Sequence, residues 1–163
     1  MIEQQKILLD LFKLMEKKDG FIPKEYEPRP DELYRYCWKI KNVHETDFEI
    51  VQINECLYLT AETKSFGKQD ELKILQLLNY LNGWSHYGIF THSSEYKTIM
   101  FEQTHFCRQF CYSKEEIYDF IYGMTKRMGL YYQSADLIFN NNIPIVEAVN
   151  NAKFNLKKEK IIN

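Results

Sequence analysis

The sequence predicts an α+β domain: antiparallel strands with helices packed on one sheet face, in the order helix, three strands, helix, three strands, helix. Three observations carry this. Two blocks of short segments rich in aromatic and β-branched residues alternate at period two, joined by short polar connections. The segments around them switch to apolar spacings of three and four, the period of a helix. Strands grouped in runs, without a helix after each one, favour antiparallel pairing over a parallel sheet.

The elements follow in order. Ile2 to Lys18 places Ile7, Leu8, Leu11, Leu14 and Met15 on one helical stripe, and Asp19-Gly20 ends it. Residues 19–32 hold three of the four prolines, Pro23, Pro28 and Pro30, and are expected as an extended surface linker. LYRYCWKI, DFEIVQI and CLYLTAET read as a meander of three strands. Lys68 to Leu81 carries Leu72, Leu75, Leu78 and Leu81 at helical spacing, and Gly83 is placed to end that helix. HYGIFTH, YKTIMFE and HFCRQFCY read as three further strands, with turns at Ser93-Ser94-Glu95 and Gln103-Thr104. Ser113-Lys-Glu-Glu116 is a capping box opening a helix through Ile117, Phe120, Ile121, Met124 and Met128, with an interruption expected near Gly129. Residues 140–163 read as a C-terminal extension in which Pro144 starts a short helix.

The chain's 163 residues suit a single domain spanning 1–163. The formal net charge is −2 with scattered cations, which argues against a nucleic-acid partner; Lys157-Lys158-Glu159-Lys160 reads as a solvated terminus. Polar residues interrupt every apolar stretch, so neither a membrane span nor a signal peptide is expected, and the protein is assigned to the cytoplasm. Four cysteines in such a chain are expected as free thiols.

One stretch, HFCRQFC, gathers His105, Cys107 and Cys111. On a strand these share a face, but the two cysteines stand about 13 Å apart. That exceeds the roughly 7 Å between Cα atoms that a disulfide allows, and a single strand cannot close zinc ligands over that span. A site there needs partners such as Cys37 or Cys56 from other strands. His44, His86 and His92 do not converge on it at these strand positions. There is no phosphate-binding glycine loop and no nucleophile elbow, and the acidic pairs Asp70-Glu71 and Glu115-Glu116 sit at helix starts, where the helix dipole explains them. No catalytic, cofactor or metal residues are assigned.

Tyr34, Tyr36 and Trp38 alternate on one strand face. They either fill the core or, if that face is exposed, form a partner-binding patch.

LLNYLNGW, then aromatic strands, then CYSKEEIYDFIYGM resembles the YbjN-type family of bacterial sensory-transduction regulators, whose fold is similar to that of type III secretion chaperones. The resemblance spans roughly Leu33 to Phe139 and includes Asn79 and Asn82 at the end of the middle helix. It implies a non-enzymatic module that binds a protein, often as a homodimer, and supplies no catalytic residues. The prolines of 19–32 and the tail from Asn140 depart from the family. The sequence therefore leads to a chaperone-like or regulatory protein-binding module. The alternative is a small-molecule-binding protein or thiol/histidine enzyme centred on His105–Cys111.

Overall fold

The computed structural model describes residues 3–18, 21–24, 34–40, 46–53, 56–64, 70–86, 88–106 and 112–158. Helix α1 (Glu3–Lys18) is followed by strands β1 (Phe21–Lys24), β2 (Tyr34–Ile40), β3 (Thr46–Ile53) and β4 (Cys56–Lys64). Helix α2 (Glu71–Asn82) leads to β5 (Ile89–Ser93) and β6 (Thr98–Phe106), and α3 (Lys114–Asn141) and α4 (Ile145–Lys158) close the chain. The strands form one six-stranded sheet in the order β1-β2-β3-β4-β6-β5, antiparallel at every pairing.

The alternation of the strands builds the core. Trp38, Phe48, Ala61, Phe101 and Phe90 stand directly opposite one another across five strands, and all five are buried. Residues opposite one another share a face, so this rung fixes which side the helices cover. Leu8, Leu11, Phe12 and Met15 of α1 pack over its β2 end, where Phe12 lies 5.5 Å from Trp38, ring centre to ring centre. Helix α3 crosses nearer β4 and β6. Its Tyr132 hydroxyl shares hydrogen bonds with Thr46 (2.8 Å) and Thr63, a buried polar knot satisfied within itself. Tyr131 is buried beside Phe90, and its phenol is held well above the ordinary range by desolvation and then by Tyr132.

The α+β class and the helix-covered sheet face agree with the sequence reading, while the strand grouping differs. Phe21–Lys24, within the stretch expected as linker, is an edge strand; its neighbours 25–33 lie outside the described residues. Among the described residues two strands follow α2: the third stretch expected there, HFCRQFCY, begins inside β6, and its residues 107–111 lie outside the described residues. The turn expected at Gln103-Thr104 is the interior of β6, where Gln103 opposes Leu59 and Thr104 opposes Tyr58. His86 precedes β5 instead of starting a strand.

Helix α3 is unbroken through Gly129. The capping box opens it: the Glu116 N–H donates to Ser113 Oγ (3.2 Å) and the Ser113 N–H to Glu116 Oε2 (2.8 Å). Its last turn closes through Asn142, in the left-handed region at φ 55°, with the Ile143 N–H returning to the Leu137 carbonyl. Helix α4, within the stretch expected as an extension, packs into the core. Ala148, Val149 and Ala152 of α4 are fully buried, and Leu156 packs on Gly129. Small residues on both helices allow that close approach.

Candidate interaction surface

At the end of α2 the chain must turn from helix into edge strand β5, and one side chain guides it. Asn82 Nδ2 donates to the Phe90 carbonyl (2.9 Å), and the Phe90 N–H donates to Asn82 Oδ1 (2.7 Å). The amide thus plays the part of a neighbouring strand residue. It explains Asn82 structurally and occupies the β5 edge at Phe90, the second residue of the strand. Gly83 does end α2, but in a right-handed conformation (φ −60°, ψ −17°), so the pull of Asn82 toward β5 stops the helix without a left-handed cap. Gly88, between the two, has no room for a side chain: a Cβ there would stand 2.6 Å from both the Glu102 carbonyl and the Phe101 ring. At the opposite edge, β1 carries Pro23, which has no N–H to offer another strand. Both edges are therefore blunted against strand addition.

The turn after Asn82 throws Trp84 outward, 57% exposed. Two helices hold it there. Arg127 of α3 donates from Nη2 to the Trp84 carbonyl (3.3 Å), and Lys153 of α4 lies over the indole with Nζ 4.3 Å from its centre. Tyr80 flanks it at 6.4 Å, and Phe154 of α4 is also exposed. Lys157 stands one turn beyond Lys153. Burial holds the Lys153 ammonium below its ordinary range, and repulsion from Arg127 and Lys157 lowers it further; burial alone lowers Arg127. Among the described residues, no carboxylate lies within ion-pair distance of these three cations. The corner thus combines an exposed, positioned aromatic with unneutralised charge.

The residues singled out from sequence fall elsewhere. Trp38 is fully buried between Phe12, Phe21 and Phe48. Tyr36 is half-buried, stacked on Phe12 at 3.8 Å, with its hydroxyl donating to Glu16 (2.5 Å). Tyr34 continues β2, its side chain lying outside the described residues. The aromatic face is therefore the core face, and Trp38 offers no surface to a partner: α1 covers it. His105 turns inward and stacks on Phe120 at 3.7 Å, its imidazole held below the ordinary value by burial. Cys107 and Cys111 lie outside the described residues. Cys37 and Cys56 are not joined in a disulfide; β3 separates their strands. His92 approaches Glu71 (3.5 Å), about 20 Å along the sheet from His105. Among the described residues, no three His, Cys, Asp or Glu side chains are grouped to hold a metal, and no helix is long and apolar enough to cross a membrane.

Sequence reasoning missed the Trp84 corner. Gly83-Trp84 lies in a turn with no periodicity to mark it, and Arg127 and Lys153 come from distant helices. Lys157, read as part of a solvated tail, is the one member that stood in a visible basic run.

Among solved structures, the fold is similar to that of YbjN, described as "a putative transcription regulator from E. coli". The TM-score is 0.51 at 13% identity, covering 76% of this chain and 87% of that one. No family model matches the chain, and no curated protein matches it. The relation to YbjN is one of fold.

Proposed function

We propose that this protein is a non-enzymatic interaction module, regulatory or chaperone-like, that works by docking a protein partner on the corner formed by α2, α3 and α4. The observation that carries this is Trp84: a large aromatic held exposed by Arg127 and Lys153 and stacked into no core. Tryptophan and arginine are the residue types that most often dominate binding energy at protein interfaces. The blunted edges of the sheet direct a partner away from strand addition. The YbjN likeness is compatible with a regulatory role, and a cytoplasmic setting fits a chain without a membrane-spanning helix among its described residues. Self-association through the same corner would make the module a homodimer.

The test is affinity capture of tagged protein from its native cells, with wild type and Trp84→Ala in parallel. The proposal expects one dominant partner at near-equal stoichiometry with the wild type and its loss with Trp84→Ala, at unchanged thermal stability. Equal recovery with both proteins, or recovery of no partner, counts against it.

A further inference from the structure

We infer that the segment docked at the Trp84 corner is an acidic stretch of protein, its carboxylates meeting Arg127, Lys153 and Lys157 and an adjacent apolar side chain covering the indole; this rests on the docking role proposed above. Charge complementarity carries the inference. The whole chain is slightly acidic at −2, yet here Arg127 holds the Trp84 carbonyl, Lys153 lies over its ring and Lys157 stands one helical turn further along α4. Lys153 reports the crowding, since Arg127 and Lys157 both disfavour its charged form. A carboxylate placed among them would relieve that repulsion and meet, in Arg127 above all, charge already partly stripped of water, where an ion pair is stronger than on an open surface.

The indole narrows the partner further. Lys153 lies over its ring while more than half of the residue stays exposed, so the segment needs an apolar group beside its acids. A nucleic acid also offers anions and stacking faces. However, its phosphate spacing calls for an extended basic track, and an overall acidic chain with one compact cluster of cations lacks that. An acidic peptide needs only a local match.

The probe is a short Glu/Leu peptide lacking aromatic residues, titrated into full-length protein while tryptophan emission is followed. Trp84→Phe identifies which indole responds. The expected result is a saturable change in Trp84 emission with the Glu/Leu peptide and little with the matching Gln/Leu peptide. Affinity should fall several-fold when ionic strength rises from about 0.05 to 0.5 M. Lys153→Glu with Lys157→Glu should weaken binding by at least roughly tenfold. Lys153→Gln with Lys157→Gln should give a smaller loss and guards against misfolding of the reversed variant. Arg127 is left in place because it holds the Trp84 carbonyl.

Equal binding of both peptides, or indifference to charge reversal, would overturn the inference and leave docking at Trp84 intact. Preference for a single-stranded oligonucleotide, full displacement by inorganic phosphate, or no response to either peptide would overturn it as well. Retention of the captured partner by Trp84→Ala would instead remove the docking role beneath it.

Discussion

The chain's two tryptophans occupy opposite extremes of the same molecule. Trp38 has no exposed surface and is ringed by Phe12, Phe21, Tyr36 and Phe48, each within 5.4 to 5.8 Å of it, centre to centre. Trp84 stands largely in solvent, held by a guanidinium on its carbonyl and an ammonium over its ring. The first is positioned by aromatic packing from its own strand, the two strands beside it and helix α1. The second is positioned by charges from two helices remote in sequence. The difference teaches that an aromatic on an alternating strand belongs to the interior, whereas one thrown out by a turn and fixed by cations is available for recognition.

The largest way to break the comparison is Trp38→Ala. Removing the ring that α1 packs over should cost about 3–5 kcal/mol and lower the urea midpoint sharply. A loss below about 1 kcal/mol would mean that the aromatic cluster is not the anchor of this end of the core.

Asn82→Ala comes next. It leaves the Phe90 N–H and carbonyl without their partner and loosens the turn carrying Trp84, for an expected loss of about 1–3 kcal/mol in chemical denaturation. The same change reopens the β5 edge, so concentration-dependent association in light scattering should rise with it.

His105 gives a smaller, pH-dependent effect. Burial lowers its folded pKa, so the unfolded chain takes up a proton at higher pH than the folded one. Its contribution is therefore intact above about pH 6.5 and is lost as pH falls toward the folded value. His105→Phe keeps a ring against Phe120, and denaturation midpoints between about pH 7.5 and 5.5 should fall less steeply than for wild type. Parallel slopes would show that His105 is not desolvated.

The smallest stability effect belongs to Trp84→Ala, expected within about 0.5 kcal/mol of wild type. That near-neutrality sharpens the contrast with Trp38.

How far the sequence reached follows the same division. Period-two alternation in YRYCWKI and CLYLTAETK, helical spacing in α2, and the box at Ser113 are local signals, and each element stands where they point. Strand β1 was hidden because Pro23 reads as a breaker, although on a sheet edge a missing N–H costs nothing. The boundary of β6 was hidden because Gln103 and Thr104 look like turn residues; on the strand, Gln103 is buried opposite Leu59 while Thr104 faces solvent. The attachment of α4 was hidden because its buried stripe is made of Ala148, Val149 and Ala152, residues too small to announce a core. The Trp84 corner exists only once α2, α3 and α4 are packed, so no local pattern could reveal it.

The most direct test of the account is acrylamide quenching of tryptophan emission with and without the captured partner, in wild type and Trp84→Phe. The account predicts strong quenching of free wild type, marked protection once the partner is bound, and weak quenching of Trp84→Phe that the partner does not change. Undiminished quenching of Trp84 in the complex would contradict it, because the partner would then be seated somewhere other than this corner.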